Sequence, residues 1–309
     1  MQKFIKTTRN LAVMSLIISA FLGGVMGVWA RILALHFENF QQIAARSIVG
    51  SFIGLFLYSF KNKVNFSKLI KLPKKDIIYL FIRSLSLLIG IGLFTFAINK
   101  GNFSNINMIY ALPSTAILGI FLLKEKLTLP KLLAIIIGFL GVIFITVKNF
   151  SSLRTIGVGE FAALISTFFY SLGYVTRKFI TKALNNQEIA FFGSFITGVV
   201  ALGTSIILSN KITNFFTVDT KILVVILAAS LCFILLGILT SYGFEHIEAI
   251  VANNLLILSS VFGLVIGIIF YNEVPTIMGL IGGILVIVSA FLINYSDNNK
   301  IKLEYKSET

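Results

Sequence analysis

Two arginines stand inside apolar runs: Arg46 in FQQIAARSIVG and Arg83 in IIYLFIRSLSLL. A guanidinium carries five N–H donors in a rigid fork and stays charged, so its natural partner is a carboxylate or a phosphate. An arginine kept in an apolar run either binds such a group, caps backbone carbonyls, or snorkels to the nearest water. Arg46 lies about six residues into its run, which is ~9 Å along a helix at 1.5 Å per residue. It reads as a cation that attracts an anionic solute, or as a structural carbonyl cap. Arg83 has the same choice, with snorkelling toward the basic stretch 61–76 as the stronger alternative. If both point inward, they favour carboxylate- or phosphate-bearing solutes over cations.

Aromatic and amide side chains add to this set. Trp29, Tyr110, Tyr170, Tyr174, Phe94 and Phe96 fall within apolar runs, and Asn105, Asn107, Asn253 and Asn254 fall near run ends. Of these, Tyr110, Trp29 and Asn253 are chosen as lining candidates for an apolar site with a few polar groups. Tyr and Trp have an equally good place at a membrane interface. With 30 phenylalanines in the chain, no single Phe carries an argument. No Asp, Glu or His sits at the centre of any run, whereas proton-coupled carriers usually hold one there. A facilitator or exchanger is expected over a carboxylate-based proton symporter. The two histidines, His36 and His246, lie at run ends, and a metal site is not expected. No cofactor is called for. Cys232 is alone, which excludes an internal disulfide and reads as a small buried hydrophobe.

The elements that must hold these residues follow from composition. Of 309 residues, 57% are hydrophobic and only 12% charged. Soluble domains are about 45–50% apolar, so this chain belongs in a bilayer. The +14 charge is then an orientation signal rather than a nucleic-acid signature. Ten apolar spans can be drawn, near 11–34, 40–60, 77–98, 103–123, 131–148, 158–179, 187–209, 221–243, 249–271 and 276–294. Each must be helical, because a spanning backbone satisfies its own hydrogen bonds. No cleavable signal peptide is expected at the start. With both termini inside, eighteen of the 26 Lys and Arg fall on the cytoplasmic side and six outside, Arg46 and Arg83 lying within spans. The turn at 244–248 strains this scheme: it should be cytoplasmic, yet it holds Glu245, His246 and Glu248 without Lys or Arg.

The chain also repeats itself. Residues 102–128, NFSNINMIYALPSTAILGIFLLKEKLT, have an echo 148 residues on, in VANNLLILSSVFGLVIGIIFYNEVPT. At that offset Asn105 meets Asn253, Gly119 meets Gly267, Glu125 meets Glu273 and Thr128 meets Thr276. Five spans per unit put the second copy in the membrane upside down. The expected fold class is an all-α integral membrane protein, ten transmembrane helices in two inverted five-helix repeats. Repeat one is 1–150, repeat two 151–294, and 295–309 a loose cytoplasmic tail. Glu125 and Glu273 read as helix-end residues bonded to neighbouring loops. Glycine pairs such as Gly138 and Gly141 read as close-packing points.

These residues resemble the EamA branch of the drug/metabolite transporter superfamily. The marks are Arg46 early in the second span, the ALPSTAILG run around Pro113, the KEKLT and NEVPT ends of spans four and nine, and Gly138 with Gly141 in span five. The resemblance covers nearly the whole chain. It implies transport but no particular substrate. The expectation is alternating-access movement of a small polar or amphipathic metabolite, amino-acid-like, nucleoside-like or S-adenosylmethionine-like. With only His36 and His246, at run ends on opposite faces, an enzyme is not expected. The resemblance also implies a multi-pass protein of the cell inner membrane, with a homodimer as the oligomer considered. The Ile-Arg-Ser-Leu run around Arg83 is similar to that of S-adenosylmethionine carriers. Pro113 is a helix kink. Its counterpart in span nine is Val261, so that span is expected to be straighter. A non-transporting receptor or assembly factor on the same fold is the alternative.

Overall fold

A computed structural model describes residues 2–60, 71–100, 106, 109, 110, 112–147, 157–208, 219–272 and 274–308. Among them every regular element is helical. The helices are α1 (Gln2–Ala34), α2 (Asn39–Ser59), α3 (Lys74–Lys100), α4 (Ser114–Leu123), α5 (Leu129–Thr146) and α6 (Val158–Val175). A 3-10 turn, Thr176–Phe179, continues α6. Then come α7 (Asn186–Leu208), α8 (Thr220–His246), α9 (Ala249–Leu256), α10 (Ser259–Tyr271) and α11 (Ile277–Glu308). By length and composition nine spans are long enough to cross a membrane among the described residues, α9 and α10 forming one. The tenth expected span is represented by the shorter α4. Most of its upstream half, including Asn105 and Asn107, lies outside the described residues, as does Glu273.

The chain is turned inside out relative to a soluble protein. Phe52, Phe121, Ile207, Ile277 and Phe291 are exposed on the outside, while Arg46, Ser47, Arg83, Ser166, Thr167 and Ser241 are buried. Hydroxyls inside the bundle have little water to bond, so many turn back on their own helix. Thr167 Oγ1 donates to the Ala163 carbonyl at 2.8 Å and Ser230 Oγ to that of Ile226 at 2.6 Å.

The internal echo has a backbone counterpart. Lys124 (φ 56°) and Asn272 (φ 51°) are the non-glycine residues with positive φ among those described. Each closes its helix in the left-handed conformation, and each bonds the carbonyl of Gly119 or Gly267 five residues back. Thr128 and Thr276 then start the next helices, accepting at their carbonyls from Leu132 and Leu280. Packing follows the same rule. Helix α1 packs on α8 as α6 packs on α3, and α2 on α8 as α7 on α3. Likewise α1 packs on α9 and α10 as α6 packs on α4, while α2 meets α7 and α5 meets α11.

Span nine keeps a helical backbone through Ile257 and Leu258, tightened there by 3-10-type bonds such as Ser260 N–H to the Ile257 carbonyl at 3.0 Å. Span four bends more, with Pro113 at φ −78° and ψ 43° just before α4. Without a Pro at Val261 the ninth helix loses no donor, so it only tightens. The tail expectation is corrected: α11 runs on to Glu308, since nothing between Asn294 and Glu308 breaks a helix.

Helices α5 and α11 approach closely through Gly141. A Cβ placed there would lie 2.8 Å from Val286 Cγ2 and 2.9 Å from its backbone nitrogen. Gly141→Leu is therefore expected to force the pair apart and to cost ~1–3 kcal/mol. The readout is a fall in the melting temperature of the purified protein in detergent, which Gly283→Leu, with open space around it, should not reproduce.

Candidate functional site

Arg46 enters the bundle because α2 starts at Asn39, where the Gln41 side chain accepts from the Glu38 N–H at 3.3 Å. Two turns later Arg46 is 7% exposed. Its guanidinium stands over the Phe233 ring of α8 at 5.8 Å and lies beside Tyr170 of α6. Its buried Nε has no hydrogen-bond partner among the described residues.

Arg83 is equally buried, at 5% exposed, but committed. Nη1 donates to the Gly173 carbonyl at 2.7 Å and Nη2 to Ser241 Oγ at 3.0 Å. It thereby ties α3 to α6 and α8. It does not snorkel toward 61–76. Two arginines that look alike in sequence thus differ in kind: Arg83 spends donors on the protein, whereas Arg46 keeps its Nε free. A buried charged donor left unbonded is costly unless something else occupies it.

Between the arginines runs a column of aromatic rings. Phe94 and Tyr110 are 4.8 Å apart, Tyr110 and Tyr170 5.3 Å, Tyr170 and Tyr174 6.3 Å, and Tyr174 stacks on Phe244 at 5.3 Å. Tyr170 and Tyr174 are one turn apart on α6, so they share a face. Arg46 lies by Tyr170 and Arg83 by Tyr174. Gly90 makes room for the column, since a Cβ there would sit 2.8 Å from the Tyr170 ring. Thr115, just after Pro113, donates to Ser171 Oγ at 2.9 Å and fastens α4 to α6 beside it.

The structure thus brings together Arg46, Arg83 and Tyr110. Trp29 packs on Leu33, Phe37, Ile226 and Ala229. Asn253 is half-buried, and its described bond is through its carbonyl to Ile257. The buried amide is its neighbour Asn254, which accepts from Ser289 Oγ at 2.8 Å between α5, α9 and α11. Tyr170, Tyr174, Phe233 and Ser241 stand beside Arg46, Arg83 and Tyr110, and the spacing argument had not singled them out. For α6 a signal existed, because Ser166, Thr167, Tyr170, Ser171 and Tyr174 recur at helical spacing.

One end of the bundle, here the basal end, holds both chain termini. Arg9 Nε bonds Asp297 at 3.0 Å, and Arg9 Nη2 bonds Asn294 Oδ1 at 2.7 Å. At the same end Asp76 accepts from the Thr181 N–H at 2.9 Å. Glu125 accepts from the N–H groups of Ala249 and Ile250 at 2.7 and 3.0 Å, capping α9. Lys178 lies 3.7 Å from Glu125 and donates to the Ile247 carbonyl at 2.7 Å. Arg177 pairs with Glu245 at 2.9 Å and Lys131 with Glu248. The acidic turn at 244–248 therefore finds its cations, Lys131 and Arg177, at this end. Glu125→Ala removes two charge-assisted bonds from a helix N-terminus and is expected to cost ~1–2 kcal/mol. The melting temperature in detergent measures it, and Lys124→Ala on the exposed neighbour is the control.

Apolar helices outside, with two arginines and a tyrosine column within, define a multi-pass membrane protein. The profile of the EamA-like transporter family matches residues 10–147 and again 157–295. The chain belongs to the EamA-like transporter family, and its two matched stretches are the two halves of the fold. It is 28% identical over 219 residues to an uncharacterized transporter of Methanothermobacter thermautotrophicus, covering 70% of this chain and 61% of that protein. It is 21% identical over 285 residues to an S-adenosylmethionine uptake transporter of Rickettsia conorii, covering 86% of this chain and 92% of that one. A solved crystal structure with 11% identity superposes at a TM-score of 0.77, over 92% of this chain and 98% of the other, and shares the fold.

Proposed function

We propose that this chain is a secondary transporter that carries a small carboxylate-bearing metabolite by alternating access. Two inverted five-helix repeats, 1–150 and 151–294, enclose the path. The paired packing of α1 with α8 and α6 with α3 supports this reading, as does the shared left-handed ending at Lys124 and Asn272. With both termini at the basal end, the Lys and Arg excess there favours that end as cytoplasmic, in an inner membrane. The spans hold no carboxylate or His at mid-depth, which favours a facilitator or exchanger.

The observation that carries the substrate reading is the uncommitted Nε of Arg46 beside the tyrosine column. A solute with a carboxylate for Arg46 and an apolar or cationic body for the tyrosine faces suits such a column. Amino acids, nucleosides bearing an acid group and S-adenosylmethionine share this chemistry. The Rickettsia relative makes S-adenosylmethionine the first compound to try. Purified protein in liposomes, offered labelled S-adenosylmethionine, amino acids and nucleotides, tests the reading. Entry of a carboxylate-bearing compound faster than into empty vesicles is expected. If no member of the panel crosses, even with the same compound loaded inside for exchange, a receptor role replaces transport.

A further inference from the structure

We infer that the rim of the basal end, at the head of α3, binds an anionic phospholipid. Lys71, Lys74, Lys75 and Lys182 hold its headgroup, and an acyl chain lies along α3. The inference needs only that the chain spans a membrane, and it stands apart from the transport reading above.

The four lysines come from two segments that the fold joins firmly. Leu72 and Leu80 at the head of α3 share one buried cluster with Ile180 and Leu184, which lie between α6 and α7, and with Ile189 of α7. Asp76 clamps the same two segments, accepting from the Thr181 N–H at 2.9 Å and from its hydroxyl at 2.5 Å. Lys71, Lys74, Lys75 and Lys182 are exposed around this cluster. Asp76, the acid that follows Lys75, is 0% exposed. The rim therefore presents its ammonium groups outward and keeps its carboxylate within. Lys75 Nζ lies over the Tyr79 ring at 5.8 Å, and that ring stacks on Phe179 at 5.2 Å. A lysine head above an aromatic ring, at the edge of an apolar band, suits the boundary between headgroups and hydrocarbon.

The apolar band decides what kind of anion fits. Ile78, Phe81, Ile82, Leu85 and Ile89 are all exposed. They recur every three or four residues, so they form one stripe on α3. Lys74 and Lys75 stand four and three residues before Ile78 and continue that stripe to the rim. From Ile78 to Ile89 the stripe runs about 16 Å at 1.5 Å per residue. One leaflet of hydrocarbon is about 15 Å deep, half of a ~30 Å core. A single acyl chain therefore covers the stripe while its phosphate meets the lysines. A soluble phosphate would meet the lysines and leave the stripe unused.

The test is a lipid titration of the full chain, purified in a non-ionic detergent, with the melting temperature as readout. A ligand of the folded state raises that temperature. Phosphatidylglycerol should raise it well above the value reached with phosphatidylcholine. Each lysine at an anionic headgroup contributes about a fivefold gain in affinity. Lys182→Gln should therefore raise the half-maximal phosphatidylglycerol concentration about fivefold, and Lys74→Gln with Lys75→Gln about thirtyfold. Lys124→Gln with Lys126→Gln removes the same charge from two other exposed lysines at this end and should leave the titration unchanged. Glycerol phosphate, a headgroup without chains, should have no effect at the same concentrations. An unchanged titration in the Lys74 and Lys75 variant overturns the site, and so does an equal shift in the Lys124 and Lys126 variant. An equal rise with phosphatidylcholine or with glycerol phosphate overturns the anionic lipid as its occupant. If the Lys74 and Lys75 variant does not fold, Lys182→Gln decides on the same criterion.

Discussion

Arg46→Ala is expected to lower the initial rate of carboxylate-solute uptake at low concentration on the order of a hundredfold, because losing one partner of a buried charged pair costs ~2–4 kcal/mol. The loss should appear mainly in the half-saturation concentration. Arg46→Lys keeps a charge but not the fork, so about a tenfold loss is expected. The decisive comparison is a substrate analogue with its carboxylate turned into an amide. The parent should lose affinity for the amide, and Arg46→Ala should treat acid and amide alike, the non-additivity expected of groups in contact. If Arg46→Ala keeps the parent's preference for the acid, Arg46 is not the counter-charge. Uptake into liposomes measures every arm. The Arg46 Nε is buried without a bond among the described residues.

Arg83→Ala is expected to act on the fold rather than on selectivity. It leaves the Gly173 carbonyl without its 2.7 Å bond, removes one of the bonds to Ser241 Oγ, and empties the space between α3, α6 and α8. An unsatisfied buried group plus the void should destabilise by ~2–4 kcal/mol. The melting temperature in detergent should fall by several degrees. Ser241→Ala should cost less, since Ser241 also bonds its own helix at the Gly237 carbonyl and only one Arg83 donor is lost. Transport per folded molecule should fall equally for acid and amide. A variant that stayed as stable as the parent but lost its acid preference would move Arg83 from the frame into the solute site.

Much of this architecture was legible from the chain alone. Hydropathy is a local property, so the membrane class and nine of the ten expected spans could be read along the sequence. The repeat was legible because Gly119, Glu125 and Thr128 recur at one spacing as Gly267, Glu273 and Thr276. The oddity of Arg46 could be seen for the same reason, a charge among apolar neighbours. The different natures of Arg46 and Arg83 could not. Arg83 is explained by Ser241, 158 residues away, and nothing in the run around Arg83 encodes that partner. The 244–248 turn is the same case, its acids matched by Lys131 and Arg177 from other parts of the chain. Trp29 and Asn253 fit a lining role by type, and which side each faces depends on helix rotation, which packing sets. Composition and period therefore determined what the protein is dissolved in and how often its unit recurs. Only the tertiary structure decided which buried charges are spent on the frame and which keeps a donor unbonded among the described residues, because that depends on partners brought together across the bundle.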